Sequence, residues 1–335
     1  MTTTTVTAVD LATVKLDAVG LRTKRVAASS TIALSALGFV AAVVLIVAGM
    51  ATALDWVLFG AMYCVHIIGV TIGFHRYLAH KAFKTSRIFE GLLMIMGSIG
   101  LQGPIMFWVA THRLHHRFAD VAGDPHSPNL HGSDLRNRLR GLWWAHMPWM
   151  LSDTNARWDF FAPDILRDRT LFSYHRTYPL WGALGLVLPA GIGFAVDGTP
   201  MAALGGLVFG GLARSFLANQ AAWCVGSVCH MFGTRPFRTG DRSANNWLVA
   251  ILTFGEGLQN NHHAFPGAYR HGIRWWEPDL SGWLIGLFGK LQLVWQLRMP
   301  TEEAIARHRA VEAGVPDVAY AGTAPQAPPT GNGGA

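Results

Sequence analysis

Charge is what this chain is short of: Asp, Glu, Lys and Arg make up 14% of its 335 residues, against roughly 25% in soluble domains. A deficit of that size argues against a water-solvated fold and for a bilayer. Cysteine is scarce too. Cys64, Cys224 and Cys229 stand in or beside apolar runs with no CxxC pair, which excludes a disulfide framework and iron–sulfur spacing and suits buried packing residues. There is no cytochrome-type haem segment and no nucleotide-binding glycine motif, so the chain lacks an electron source of its own. No internal repeat is evident. A cleavable signal peptide is not expected, because the first apolar run starts about thirty residues in and is too long for a cleavable core.

What is present is long and apolar. Thr31 to Leu54 and Pro179 to Val196 carry no charge, and Trp56 to Phe74 and Met201 to Val225 follow them closely. Each approaches the ~20 residues that cross ~30 Å of hydrocarbon as a helix. They read as two helical hairpins, with spans at about 31–54, 56–74, 179–196 and 201–225. The net charge of +7 is distributed by topology rather than as a nucleic-acid footprint. Four basic residues lie in the leader, thirteen between Arg76 and Arg176, and nine after His230, while the two hairpin turns hold none. The positive-inside rule then places leader, central loop and C-terminal region together on the cytoplasmic side. Arg214 alone is basic within a span, where it is expected to pair internally or reach a polar cavity.

Ile88 to Ala110 is apolar enough to cross, but it contains Glu90, Gln102, Gly103 and Pro104 and has basic residues at both ends. It reads as a membrane-embedded segment that returns to its own side. The organisation expected is a flexible leader (1–29), a membrane domain (30–314) with a cytoplasmic cap from residues 75–178 and 226–314, and a disordered Gly/Pro/Ala-rich tail (315–335).

Fifteen histidines are present, and eight fall in four tight places: His75 and His80; His112, His115 and His116; His230; His262 and His263. Each place lies just past an apolar segment, on one expected membrane face. At ~100° per residue, His112 lies about 60° from His115 and about 40° from His116 on a helix, whereas His115 and His116 diverge by about 100°. Adjacent ligands of that kind suit two ions side by side. His75 and His80 diverge by about 140° on a regular helix, which suggests separate ions or a helix that ends between them. Eight imidazoles exceed one tetrahedral or octahedral shell. Two metals with open positions beside a membrane cavity suit oxygen activation, hence iron, although zinc binds such ligands more tightly.

At these residues the chain resembles the membrane fatty acid desaturases, specifically the stearoyl-CoA desaturase-like family. The family pattern HxxxxH, HxxHH and [H/Q]xxHH stands here as His75-RYLA-His80, His112-RL-His115-His116 and Gln259-NN-His262-His263, with His230 as the further histidine. GDPHSP at Gly123 to Pro128 and GEGLQNNHHAFP at Gly255 to Pro266 match as well. The resemblance, over about residues 31–298, implies an all-α integral membrane fold: four spanning helices under a helical cap holding two irons. It also implies O2 as co-substrate, two electrons from a separate ferredoxin or cytochrome with its reductase, and a double bond introduced into a fatty acyl chain carried by coenzyme A, lipid or carrier protein. Three departures stand out. Gln259 opens the third box, where the animal acyl-CoA enzymes have histidine. Gly226 stands where those relatives place a near-metal asparagine. Ala110-Thr111 replaces their Arg-Asp before the second box.

The same resemblance assigns Gln102 and Trp223 to the acyl tunnel. Asp124, His126 and His146 are candidates to orient ligand imidazoles. His66, His131, His175, His271 and His308 read as ordinary core or surface residues, and Trp275, Trp276 and Trp283 as anchors at the bilayer interface. Two other readings compete: a membrane di-iron hydroxylase of an acyl or alkyl chain, and a membrane metal transporter or sensor. The second would want its ligands within the spans.

Overall fold

The computed structural model describes residues 7–309. Four helices in it are long and apolar enough to cross a membrane: Ala18–Val47, Ala53–Ala79, Tyr178–Asp197 and Pro200–His230. The fold is all-α apart from two short two-stranded ribbons. The first span starts well before residue 31, because Asp17 caps it by accepting from the Gly20 amide. The leader is likewise ordered from Thr7 on, against the expectation of a flexible segment to residue 29. Thr13–Lys15 pairs antiparallel with Thr154–Ala156, and Lys24 and Arg25 donate to the Thr154 and Leu151 carbonyls. Leader and central region therefore share one side of the spans. The expected tail at 315–335 lies outside the described residues.

Ile88 to Ala110 is two helices, Arg87–Ile99 and Ile105–Phe118. The break falls at the Gly-Leu-Gln-Gly-Pro turn, where Leu101 and Gly103 take positive φ and Pro104 supplies no N–H. Against this pair the second span passes into a π-helix, Gly69–Ala79. Only glycine fits at position 69, since a Cβ there would meet the Met96 carbonyl carbon at 2.2 Å. The fourth span also contains a π-helix, Gly206–Ala213.

Arg214 follows that second π-helix and is wholly buried. Its guanidinium donates to three carbonyls, Gly210 at 3.0 Å, Ile99 at 3.1 Å and Gly185 at 2.8 Å. Two of these would otherwise be orphans. Pro189 has no N–H to offer the Gly185 carbonyl one turn back, and Ile99 ends the helix before the turn. The span charge is thus paired internally, as expected. Of the cysteines, Cys229 is buried, Cys224 is partly so and Cys64 is exposed; the expectation of three buried thiols fails at Cys64, whose helix turns that face outward. Trp275, Trp276 and Trp283 are all exposed.

Each buried carbonyl left without a donor costs about 1–3 kcal/mol. Arg214→Met should therefore lower stability by about 3 kcal/mol or more, read as thermal unfolding in detergent. Adding Pro189→Ala returns an N–H to the Gly185 carbonyl and should recover part of the loss. No recovery would show that Arg214 does not act through that carbonyl.

Candidate metal centre

The second span delivers His75 and His80 by an unusual local geometry. In a π-helix the amide bonds five residues back, and the His80 amide bonds the His75 carbonyl at 3.1 Å. Residues five apart then lie nearly one above the other, so both imidazoles point the same way. The divergence expected of a regular helix does not arise. Ile105–Phe118 contributes His112, His115 and His116, the end of the fourth span gives His230, and the short helix Gln259–Ala264 gives His262 and His263.

All eight meet. His75, His80, His112, His116 and His262 form one group and His115, His230 and His263 a second, with the ligand atoms of each group within 4.8 Å of one another. His115 and His116 are divided between the groups, as their divergence on the helix requires. Nε2 of His80 and His112 lie 2.7 Å apart, those of His262 and His116 2.9 Å, and those of His75 and His262 3.1 Å. Nε2 of His115 and His230 are buried with no hydrogen-bond partner.

The outward nitrogens explain the orientation. Nδ1 of His115 donates to Asp124 at 3.0 Å, that of His230 to Asp120 at 2.8 Å, and that of His263 to Asp241 at 2.6 Å. His75 Nδ1 pairs with Glu256 in the same way. A carboxylate on Nδ1 fixes the tautomer and leaves the Nε2 lone pair facing inward. Buried, inward-facing and otherwise orphaned imidazole nitrogens in two adjacent groups are a donor set that fits two imidazole-binding metal ions. The carboxylates are themselves anchored. Asp120 accepts from Ser127, Asn129 and the Arg242 amide, Asp241 from the Ser243 amide, and Glu256 from Arg76, whose guanidinium also grips Asp279.

Of the other candidates, Asp124 contacts His115 Nδ1. His126 stacks on the His115 ring at 4.4 Å between centroids rather than bonding it. His146 bonds none of the eight; it pairs with Ser227 and Gln220 and so braces the fourth span. Gln259 sets Nε2 3.0 Å from His263 Nε2, and its buried Oε1 has no partner. His271 is misread as an ordinary residue. It is buried, its ring centroid lies 4.5 Å from that of His262, its Nδ1 stands 3.9 Å from Glu256, and neither ring nitrogen has a hydrogen-bond partner. Asp120, Asp241, Glu256 and His271 carry no periodicity that singles them out, although Asp120 stands four residues after His116 and Glu256 three before Gln259.

A cavity of about 140 Å³ adjoins the histidines. His75, His112 and His115 form one part of its wall, and Ile67, Val70, Phe107, Trp108, Trp223 and Gln102 line the apolar remainder.

The family model described as fatty acid desaturase matches residues 53–279. A hex-5-enoyl-[acyl-carrier protein] acetylenase of Moorena producens (strain JHB) is 43% identical over 246 residues, 73% of this chain and 77% of that one. An sn-1 stearoyl-lipid 9-desaturase of Synechocystis sp. (strain ATCC 27184 / PCC 6803 / Kazusa) is 34% identical, with 75% of each chain covered. Acyl-CoA desaturase 1 of Saccharomyces cerevisiae (strain ATCC 204508 / S288c) is 34% identical over 72% of this chain and 46% of its own.

Burial, and then the neighbouring imidazoles and arginines, hold His80, His112, His116 and His262 well below the ordinary histidine value of 6.5. His115 is the exception: burial lowers it, but Asp124 outweighs burial and raises it. The four depressed histidines stay neutral where the unfolded chain would take protons, so the unfolded state binds more protons below pH 6.5 and stability falls as pH falls. The chelator-treated protein should accordingly lose thermal stability steadily from pH 7 to pH 5. An unfolding temperature constant across that range would contradict the assignment of neutral, buried imidazoles.

Proposed function

The chain belongs to the fatty acid desaturase family and is therefore an oxidoreductase acting on fatty acyl chains; we propose that it removes two hydrogens from an acyl chain beside a pair of irons held by His75, His80, His112, His115, His116, His230, His262 and His263. The single observation that carries this reading is adjacency: two imidazole groups border a largely apolar cavity. Iron bound there would supply the activation of O2 needed to break an unactivated C–H bond. The chain's own residues do the rest. Ile67, Val70, Phe107 and Trp108 exclude water and hold the acyl chain against the inner face of the histidines. Asp120, Asp124, Asp241 and Glu256 keep each ring they contact at a fixed angle. Gln259, aimed into the second group with a free oxygen, completes the group that has fewer histidines through its amide or a water.

The electrons come from a separate donor, a ferredoxin or cytochrome with its reductase, docking on the basic cap. That cap is cytoplasmic on the positive-inside argument, which the clasp between leader and central region supports. The acyl group is carried by coenzyme A, a lipid or a carrier protein; the relatives' names cover all three.

Expression in a host with mass-spectrometric analysis of lipids and thioesters should reveal an alkene product; an alcohol instead would favour the hydroxylase reading. His116→Ala and His230→Ala should abolish the product while the protein still inserts in the membrane. Losing an orienting partner costs roughly 10–100-fold in metal affinity or activity, so Asp241→Ala should reduce bound iron by that order, and Gln259→Ala should impair activity less than His262→Ala. Full activity and both irons in Gln259→Ala would remove Gln259 from the centre. Turnover by the pure protein with NAD(P)H alone would refute the separate donor.

A further inference from the structure

We propose that a small acidic one-electron carrier protein docks on the loop from Thr234 to Asn245, against the guanidiniums of Arg235, Arg238 and Arg242. The inference rests on the desaturase reading above and names where its separate electron donor binds.

The loop begins just after His230 and returns to its own start. Thr234 and Asn245 exchange backbone hydrogen bonds at 3.0 and 2.7 Å, which closes its neck. Phe237 is buried, and Asn260 grips its amide at 2.8 Å and its carbonyl at 3.0 Å. The Arg238 amide donates to the His308 carbonyl at 2.7 Å. Fastened at neck and middle, the loop holds a fixed shape while its three arginine side chains stay exposed. Arg235 donates to the Asp241 carbonyl at 2.6 Å and Arg242 to the Asn129 amide oxygen at 3.5 Å. Neither contact neutralises a charge, and among the described residues none of the three arginines pairs with a carboxylate. The exposed acids Glu302 and Glu303 stand at the far end of helix Glu302–His308, roughly 8–9 Å from His308 at ~1.5 Å per residue. Exposed Arg307 adds a further positive charge at the near end.

Directly beneath the loop lie metal-binding histidines. Asp241 belongs to the loop, and His263 Nδ1 donates to it at 2.6 Å. The Arg242 amide donates to Asp120 at 2.8 Å, and His230 Nδ1 donates to the same carboxylate at 2.8 Å. The loop thus reaches two of the three histidines of the second group, each through a single carboxylate. Glu256, the carboxylate of the first group, sits instead against wholly buried Arg76. A carrier seated on the loop is therefore one carboxylate away from the centre.

Charge and size both suit such a partner. A cluster of guanidiniums without carboxylates steers an oppositely charged protein and can speed encounter by ~10- to 1,000-fold. Redox encounters bury under about 1,200 Å², so one loop and its flanks suffice. Each docking oxidises the carrier by one electron, and two dockings supply two. With two protons from water and the two hydrogens taken from the acyl chain, these electrons reduce O2 to two waters.

The test uses the full-length iron-loaded protein in nanodiscs and a reduced two-iron plant-type ferredoxin, whose oxidation is followed by stopped flow. The wild-type rate should fall steeply between about 0.02 M and about 0.5 M salt, as screening of exposed charges requires. Arg235→Glu/Arg238→Glu/Arg242→Glu should slow the low-salt rate at least ~tenfold and remove its salt dependence. Its bound iron and its reduction by dithionite should match wild type. Lys84→Glu/Lys290→Glu, a reversal elsewhere on the surface, should leave the ferredoxin rate nearly unchanged. In a second arm, Arg235→Lys/Arg238→Lys/Arg242→Lys is coupled to ferredoxin carboxylates with a carbodiimide, and the cross-links should map to these three positions. That arm decides the matter even if the charge-reversed protein loses iron. Equal low-salt rates in wild type and the charge-reversed protein, or cross-links confined to Lys15, Lys81, Lys84 and Lys290, would overturn the inference. Alkene formation with dithionite, but no oxidation of ferredoxin by wild type, would overturn it and leave the desaturase reading standing. No alkene with either reductant would overturn both.

Discussion

Every imidazole in the centre has one nitrogen to spare, and the surrounding structure is organised to keep that nitrogen pointing inward. Burial alone would leave eight rings free to rotate and to swap tautomers. Four carboxylates prevent this at His75, His115, His230 and His263, and each carboxylate is held in turn by amides, hydroxyls or Arg76. Removing water from a carboxylate is costly. It is tolerated here because the histidine contacts and backbone amides outweigh burial and keep Asp120, Asp124 and Asp241 below the usual carboxylate range.

The histidines themselves were legible because ligands on regular helices must recur at 3 or 4 residues, and His112, His115 and His116 do. The pair at 75 and 80 obeys another period. Its spacing of five makes sense only once the second span widens into a π-helix, and nothing in Gly69–Ala79 announces that change apart from glycines at 69 and 73. Of the orienting carboxylates only Asp124, within the GDPHSP stretch, was legible. Asp120 and Asp241 arrive from loops far apart in sequence, and their role exists only after the chain closes. His271 was misread for the same reason: a solitary histidine in a loop gives no hint that Asn261 and Asp279 will fasten its backbone beside His262.

The spans were placed correctly in number and order, and their ends were not. Apolar runs mark the part of a helix that lipid touches, while Asp17 and the turn after Val47 decide where the helix begins and stops. The membrane region also has a polar interior. Arg214, His66, Gln102 and Trp108 form a continuous chain of contacts from the middle of the fourth span to the ring that stacks on His112. Through it, the broken helix, the proline-interrupted third span and the histidine cluster share one buried scaffold.

The clasp between Thr13–Lys15 and Thr154–Ala156 has a consequence for biogenesis. Some 140 residues separate the two strands, and at ribosomal speeds of ~5–20 residues per second they emerge on the order of ten seconds apart. During that interval the first hairpin is already entering the bilayer while the leader waits without its partner. The N-terminal segment therefore closes over a cap that is still being translated, and it acts as a late latch on the nascent protein rather than as its first folded piece.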